Sequence, residues 1–282
     1  MSDIEKVKQL RKSTGAGFKD CNAALKESNG DLDKAAEILR VKGIAKASKK
    51  MDRNASEGLV SLSEKNGEVS IIEVNSETDF VAKNMEFISF CKEVSLINLV
   101  SKGDLEKIKN TKMKNNISVG ENLINLISKI GEKLTIKRAD YFDNKKGKNY
   151  FYTHSAIDKN LGKIISIVKI DNNDDDQLGQ KIAMHIAASS PLAIDKEGIK
   201  KEIIDKEMEI IKAELLNSGK KGEMVEKISK GKINKFISDN TLLNQIWIMD
   251  PKKKVSDVLK ENKNTKDIKI VNFVRYKVGE EN

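Results

Sequence analysis

The hydrophobic positions of the chain change their spacing several times, and each change predicts a different element. In residues 4–39 apolar side chains recur every three or four positions, with breaks at Thr14-Gly-Ala-Gly17 and Asn29-Gly30. This pattern predicts three short helices, the last of which ends near Gly43, and together they form a small helical module at residues 1–45. Their apolar faces are Ile4, Val7 and Leu10; Phe18, Cys21, Ala24 and Leu25; and Leu32, Ala35, Ala36, Ile38 and Leu39.

Beyond a basic linker at residues 46–56, β-branched runs flank Lys65-Asn66-Gly67, and Asn-Gly is a strong hairpin signal. A helix through Val100, a Lys/Asn-rich loop and a helical pattern at residues 119–130 follow. Three later segments have strand character and are assigned to a second sheet, before another helix: residues 135–142, 150–155 and 163–170. A hairpin followed by a helix thus occurs twice, which predicts two related subdomains at residues 57–142 and 143–282.

The strand signal disappears at about residues 200–238, where two helical stripes are separated by Ser218-Gly219 and Gly222. Two helices joined by a short turn are expected to pack as an antiparallel hairpin, that is, as a coiled coil. A short helix at residues 255–259 and a strand at residues 268–276 complete the chain. The predicted fold class is α+β, with antiparallel sheets and the helical hairpin inserted in the second subdomain.

Composition narrows the class of protein. The 282 residues are 38% hydrophobic and 34% charged, which is typical of a globular protein with a well-solvated surface. No apolar run reaches the ~20 residues of a membrane span. The first residues lack the apolar core of a signal peptide and the Arg- and Ser-rich character of a transit peptide. We therefore expect no membrane partner and a cytoplasmic location.

The sequence offers no pattern of a catalytic or metal site. Cys21 and Cys91 have no ligand partners at metal spacing, and His185 lies on an apolar helical face, so all three are expected in cores. No phosphate-binding glycine loop is present, because Gly15-Ala-Gly17 lies between two helices rather than after a strand. We predict a protein that is not an enzyme, holds no cofactor or metal, and binds no nucleotide directly.

The net charge of +9 raises the possibility of a nucleic-acid partner. Lysines are spread along the whole chain, however, and aromatic residues make up only 5% of it. The one local basic cluster is at residues 42–53, where a solvated linker explains the charges better than RNA contact does. An RNA-binding or ribosome-binding protein remains the alternative, and it predicts binding that weakens steeply with salt.

The segment Glu73-Val-Asn-Ser-Glu-Thr-Asp-Phe-Val-Ala-Lys-Asn84 follows one of the best strand patterns and has two interpretations. A helix could begin here, capped by Thr78 or Ser76, and the pattern alone favours this reading. Phe80 would then be the first residue of a buried stripe: Phe80, Phe87, Cys91 and Val94. Alternatively, Asp79 and Phe80 are exposed at a turn, where burial of the ring by a partner is worth roughly 1.5–3 kcal/mol.

The same segment resembles a signature of the elongation factor Ts family. The matching residues are Glu73-Val-Asn and Thr78-Asp-Phe-Val-Ala-Lys-Asn84. A second match is Leu10-Arg-Lys-Ser-Thr-Gly-Ala-Gly-Phe18 with Asp20-Cys21 and Ala24-Leu25. Further matches follow in order along the chain: Ile130-Gly-Glu-Lys-Leu, Ala183-Met-His-Ile-Ala-Ala-Ser-Ser-Pro191 and Phe273-Val-Arg-Tyr-Lys-Val-Gly279.

The resemblance implies a guanine nucleotide exchange factor for elongation factor Tu. Such a factor binds the GDP form and promotes GDP release and GTP loading by disturbing the Mg²⁺ and phosphate site. It implies that Phe80 enters the G domain beside the nucleotide, that Asp79 accompanies it, and that Thr78 and Val81 support them. Contacts with the surface of elongation factor Tu are implied for four more residues: Arg11, Phe18, Lys19 and His154.

The resemblance also bears on the other segments. It implies that the first module has a fold like the ubiquitin-associated domain. That module alone would suggest a peptide or ubiquitin binder, but the signature at residues 78–84 favours elongation factor Tu. For Phe18, the core of its own module is an equally good interpretation. The family uses the helical hairpin in contacts with its partner and between copies, so a homodimer through the hairpin or the core is open.

The chain departs from the family pattern in three places. The segment between His154 and Gly162 is longer than the family spacing, Phe18-Lys19 replaces a pair of methionines, and the chain ends soon after Gly279. We hypothesise that the first module supplies affinity and residues 78–81 supply exchange. Deletion of residues 1–50 should then weaken binding far more than Phe80→Ala does.

Overall fold

The computed structural model of the chain describes residues 3–14, 16–262 and 267–280. Runs of helices are followed by runs of antiparallel strands, which confirms the α+β prediction. The helices are α1 (Asp3–Thr14), α2 (Phe18–Glu27), α3 (Leu32–Ser48), α4 (Met85–Ser101), α5 (Leu105–Asn110), α6 (Val119–Ile130), α7 (Asp176–Ser189), α8 (Lys201–Asn217), α9 (Glu223–Asn240) and α10 (Val255–Glu261). The strands are β1 (Glu57–Lys65), β2 (Glu68–Ser76), β3 (Leu134–Phe142), β4 (Lys148–Asp158), β5 (Leu161–Asp171) and β6 (Lys269–Lys277).

The described residues divide into two units. The first unit combines the N-terminal helices with the first subdomain and lies within Met1–Asp143, His154–Ile165 and Tyr276–Asn282. The second lies within Asn144–Thr153 and Ser166–Arg275. The ends of β4, β5 and β6 therefore belong to the first unit.

Helices α1, α2 and α3 form the predicted small module. Asp31 caps α3 by accepting hydrogen bonds from the N–H groups of Asp33 and Lys34, each at 3.0 Å. The core of the module consists of seven buried side chains: Val7, Leu10, Cys21, Ala24, Leu25, Ala35 and Leu39. The three-helix prediction is therefore confirmed.

The predicted end of α3 near Gly43 is wrong, since the helix continues to Ser48. Gly43 is buried inside the helix, and a Cβ there would lie only 3.5 Å from Ile124 of α6. That distance is an ordinary van der Waals contact, so α3 packs against α6 at this position. Ala47, in the last turn, belongs to the hydrophobic core of the subdomain that follows.

The six described strands form one sheet, in which β2 lies between β1 and β3, so the predicted second sheet is wrong. Asn66 and Gly67 turn the chain between β1 and β2 with φ of 55° and 80°, as a two-residue hairpin of this type requires. Strand β3 pairs with the other edge of β2, so the assignment of residues 135–142 to a second sheet is wrong. Residues 69–76 of β2 are all buried, and a buried central strand needs hydrogen-bonded neighbours on both edges.

Helices α4, α5 and α6 complete the core of this subdomain. Phe87 and Cys91 of α4 are fully buried together with Ile72 of β2. Helix α5, which the loop prediction missed, is capped by Asp104, whose carboxylate accepts from the N–H groups of Glu106 and Lys107. The short helix buries Ile108 in the same core.

A buried ion pair connects β2, β3 and the end of β6. Arg138 Nε lies 2.6 Å from Oε2 of Glu73, and the side chains are 10% and 0% exposed. The other carboxylate oxygen, Oε1, accepts from Asn75 Nδ2 at 2.9 Å and from the N–H of Gly279 at 3.0 Å. The Arg138 guanidinium also stacks on the ring of Tyr276, 4.1 Å from its centroid.

In the second unit, β5 is hydrogen-bonded to β4 and β6. Helix α7 is joined to β5 by the Ser166 hydroxyl, which donates to the carbonyl of Ala183 at 2.6 Å. The core contains aliphatic side chains from both elements together with Trp247: Val168, Ile170, Leu178, Ile182 and Ile186.

His185 is fully buried in this unit, as the sequence predicts. The Ile248 N–H donates to Nδ1 at 3.4 Å, so Nε2 carries the proton and donates to Gln245 Oε1 at 3.0 Å. The imidazole stacks on Trp247, with the ring centroids 5.3 Å apart. Burial lowers the pKa of His185 and keeps the ring neutral.

Helices α8 and α9 form the predicted antiparallel hairpin. Their joint, residues 218–222, includes Gly219 and Gly222 at positive φ. Two ion pairs cross between the helices, Lys212 with Glu226 at 2.7 Å and Lys232 with Glu214 at 3.2 Å. One apolar core joins the hairpin to the segment before it: Ala193, Ile199, Ile211, Leu215, Val225, Ile233 and Ile237. Within the described part of the chain, no helix is long and apolar enough to cross a bilayer.

Acidification below about pH 6.5 should destabilise the second unit. An unfolded histidine titrates near 6.5, whereas burial lowers the pKa of folded His185. Only the unfolded chain then binds the proton, so stability is complete above pH 6.5 and falls as the pH decreases below it. Thermal unfolding between about pH 7.5 and 5.5 measures this slope. The pH dependence of stability should disappear in His185→Gln and persist in His154→Gln. An unchanged pH dependence in His185→Gln would show that His185 is not its cause.

Candidate partner-binding surface

The segment of residues 78–81, called the tip segment below, follows directly after β2. Thr78 is held on two sides: its carbonyl accepts from the Ser76 hydroxyl at 2.9 Å, and its N–H donates to Glu132 Oε2 at 2.9 Å. The Thr78 hydroxyl donates to the other carboxylate oxygen, Glu132 Oε1, at 2.7 Å. The residue that precedes Asp79 is therefore fixed through both its backbone and its side chain.

Asp79 and Phe80 project outward from this support. Phe80 is 76% exposed, which is unusual for an aromatic side chain. Lys83 lies beside both residues, with Nζ 3.2 Å from Asp79 Oδ2 and 5.7 Å from the centroid of the Phe80 ring. A carboxylate, an ammonium group and an aromatic face are thus offered together at the surface.

The residues after Phe80 return at once to the core. Val81 is 5% and Ala82 1% exposed. They lie in a single 3₁₀ turn, Val81–Lys83, and the amide of Asn84 donates to the Val81 carbonyl at 2.9 Å. Val81 and Ala82 thus anchor the tip segment on the side opposite Thr78.

The interpretation of Phe80 as a core residue of a helix is wrong. Helix α4 begins only at Met85, where the Asn84 side chain accepts from the amides of Glu86 at 2.9 Å and Phe87 at 3.3 Å. The buried stripe of α4 starts at Phe87. Because the 3₁₀ turn separates Phe80 from the helix, the spacing of seven residues does not place the two rings on one face.

Two residues near the tip segment were not recognised from the sequence. Met85 is 75% exposed at the first position of α4. Glu132 carries the hydrogen bonds to Thr78 but lies 54 positions away in the chain. The motif Ile130-Gly-Glu-Lys-Leu pointed to this stretch, although no local pattern reveals its contact with Thr78.

The implied contact residues of the first module are all exposed. Arg11 lies in the last turn of α1, and Phe18 and Lys19 open α2. Phe18 is 49% exposed, whereas the core face of α2 consists of Cys21, Ala24 and Leu25, so the core interpretation of Phe18 is wrong. Among the described residues, no hydrogen bond, ion pair or ring contact links these three side chains to the tip segment.

His154 is exposed on β4, in the first unit. The residues that lengthen the spacing to Gly162 complete β4 up to Asp158, turn at Lys159 and Asn160, and begin β5 at Leu161. The extra length is therefore accommodated by a longer hairpin. No group of three His, Cys, Asp or Glu side chains within residues 3–14, 16–262 and 267–280 could hold a metal ion.

Comparison with known proteins decides the family. The family model described as elongation factor TS matches residues 77–280. A protein named elongation factor Ts from Methylorubrum extorquens (strain PA1) is 40% identical, over 97% of this chain and 91% of its own length. Proteins of the same name from Rickettsia felis and Maricaulis maris are 37% and 38% identical, with the same coverage.

The chain belongs to the elongation factor Ts family. It is accordingly a translation elongation factor, a participant in protein biosynthesis. The family model begins at residue 77. The tip segment, Glu132 and His154 therefore lie inside the matched region, and Arg11, Phe18 and Lys19 lie before it.

Two phenylalanines seven residues apart provide a matched test of the tip geometry. Phe80→Ala should change the free energy of unfolding by less than about 0.5 kcal/mol, because the ring is already exposed. Phe87→Ala should lower it by about 3–5 kcal/mol, since that side chain is fully buried. Urea unfolding of both variants measures the difference. A loss above about 2 kcal/mol for Phe80→Ala would show that this ring is buried in the core and not exposed.

Proposed function

We propose that this chain is the guanine nucleotide exchange factor of elongation factor Tu. It binds the GDP form in the cytoplasm and promotes GDP release and GTP loading by disturbing the Mg²⁺ and phosphate site. The observation that carries the proposal is the exposed ring of Phe80, which is 76% accessible on a segment fixed at both ends. Membership of the elongation factor Ts family supplies the partner.

The mechanism is mechanical, and the chain takes no part in bond making or breaking. Guanine nucleotides are held through Mg²⁺ and the backbone amides around their phosphates. Phe80 enters beside this site, Asp79 accompanies it, and Thr78 and Val81 hold both in place. Displacing the ion removes a large part of nucleotide affinity, and by reciprocity the nucleotide weakens binding of this chain by the same factor.

The energetics require a second contact. A ten-thousand-fold shift in nucleotide affinity needs about 5.5 kcal/mol of differential binding. Burial of one phenylalanine contributes roughly 1.5–3 kcal/mol. Arg11, Phe18 and Lys19 of the first module supply the additional affinity, because they are exposed on the same unit. His154 adds a further contact with elongation factor Tu.

The helical hairpin is proposed as a further interaction surface. Its core consists of residues of α8 and α9 together with Ala193 and Ile199, while Ile210 is 45% and Leu216 58% exposed. The partner of this surface is elongation factor Tu or a second copy of this chain.

The basic cluster supports an RNA partner poorly. Most of its cations already pair with acids: Lys42 with Glu27, Lys46 with Asp20 and Arg53 with Glu77. Lys50 donates to the carbonyl of Gly131. Releasing these partners would offset part of the gain from phosphate contacts, so we favour the protein partner.

Substitution of two exposed phenylalanines, Phe80 and Phe18, tests whether the exchange rate and the affinity depend on different residues. Release of fluorescent GDP from elongation factor Tu is followed by stopped flow at increasing concentrations of this chain. Phe80→Ala should lower the plateau rate about ten-fold to a hundred-fold, since it removes the contact beside the nucleotide. Phe18→Ala should raise the half-saturating concentration and leave the plateau unchanged.

Point substitutions replace deletion of residues 1–50 in this test, because Ala47 packs in the core of the first subdomain. Arg11→Ala is expected to behave like Phe18→Ala. Equal effects of Phe18→Ala and Phe80→Ala on both kinetic parameters would contradict the division of roles. No acceleration by the unmodified chain would contradict the exchange function itself.

A further inference from the structure

Three segments that are distant in the sequence meet beside the tip segment. They are residues 51–53 after α3, residues 77–78 after β2, and residues 132–133 between α6 and β3. Five residues at this junction are linked by hydrogen bonds through side chains or backbone groups, either to one another or to their chain neighbours: Arg53, Glu77, Thr78, Glu132 and Lys133.

Glu132 contacts the tip segment directly. Its two oxygens accept from the backbone amide of Thr78 at 2.9 Å and from the Thr78 hydroxyl at 2.7 Å. Hydrogen bonds to a carboxylate are stronger than those between neutral groups. The pair restricts both the backbone and the side chain of the residue immediately before Asp79.

Lys133, the residue after Glu132, is bound to both neighbouring segments and so fixes the backbone beside Glu132. The Lys133 N–H donates to Glu77 Oε1 at 2.5 Å, and Arg53 Nη1 lies 3.3 Å from the same carboxylate. This amide and the Arg53 charge lower the pKa of Glu77, which remains ionised at neutral pH. Lys133 Nζ donates to the carbonyls of Met51 and Arg53 at 2.6 and 2.8 Å.

We propose that Glu132 is a positioning residue for nucleotide exchange. Its carboxylate holds Thr78 so that Asp79 and Phe80 are presented in a single orientation. The inference rests on the exchange function proposed above. It assigns to Glu132 an effect on the rate of GDP release within the complex, and none on the affinity that the first module supplies.

The physical basis is preorganisation. Val81 and Ala82 anchor one side of the tip segment in the core, and Glu132 holds the other side. Without the carboxylate, only the hydrogen bond from the Ser76 hydroxyl to its carbonyl holds Thr78, and residues 78–80 populate additional orientations. The productive fraction of complexes then falls, and the rate falls with it.

The test compares Glu132→Ala with a conservative variant and a distant control. Glu132→Gln preserves the contacts, because its carbonyl can accept from the Thr78 amide while its NH₂ donates to the hydroxyl oxygen. Glu106→Ala removes an exposed glutamate paired with Lys109 on α5. Stopped-flow release of fluorescent GDP from elongation factor Tu gives the plateau rate and the half-saturating concentration for each variant.

Glu132→Ala should lower the plateau rate about ten-fold and leave the half-saturating concentration within about two-fold, because charged hydrogen bonds to Thr78 are lost. Glu106→Ala should match the unmodified chain, and Glu132→Gln, which keeps both contacts as weaker neutral hydrogen bonds, should retain most of the plateau rate. Thr78→Val, which removes only the hydroxyl contact, should give an intermediate loss. Amide hydrogen exchange of residues 78–80 should accelerate in free Glu132→Ala, a readout that does not depend on the partner.

The outcomes distinguish failure of the exchange function from failure of the positioning role of Glu132. If the unmodified chain does not accelerate GDP release, the exchange function fails and the inference fails with it. If the unmodified chain is active and Glu132→Ala keeps its plateau rate, the positioning role alone is overturned, whatever happens to the melting temperature. A change confined to the half-saturating concentration, or unchanged amide exchange at residues 78–80, also overturns it.

Discussion

The buried ion pair between Arg138 and Glu73 is the interaction on which the first unit depends. Glu73 is fully buried in the central strand β2, and a buried carboxylate is tolerated only when it is paired and hydrogen-bonded. Arg138, Asn75 and the amide of Gly279 together satisfy it. Removal of one partner from a buried pair typically lowers the free energy of unfolding by about 3–5 kcal/mol. Loss of either side chain should therefore destabilise β2, β3 and the end of β6 together.

This arrangement brings together residues from two distant family motifs, Glu73 near the first and Tyr276 in the last. Arg138 stacks on Tyr276, whose hydroxyl donates to Asp140 Oδ2 at 2.8 Å. Burial and the neighbouring Asp140 raise the pKa of Tyr276, so the hydroxyl stays protonated and continues to donate. Strand β2 is thereby fixed up to Ser76, and the tip segment starts from a rigid support.

Local patterns were sufficient for the α+β class, the three-helix module, the Asn66-Gly67 hairpin and the helical hairpin, since each depends on neighbours in sequence. They failed at Phe80, where helical spacing suggested burial and a single 3₁₀ turn exposes the ring. They also failed at residues 135–142, because strand pairing depends on which edge of β2 is free. The contact of Glu132 with Thr78 spans 54 positions, so no periodicity could reveal it.

The first unit thus combines a rigid strand, a two-sided anchor and an exposed aromatic ring. We propose that this combination lets one molecule of the chain promote GDP release from many molecules of elongation factor Tu in turn. The most direct measurement is GDP release with this chain at about one-hundredth of the concentration of elongation factor Tu, with excess unlabelled GDP present. The account predicts that each molecule releases GDP from many copies of the partner. Release limited to one equivalent, or none above the spontaneous rate, would contradict it.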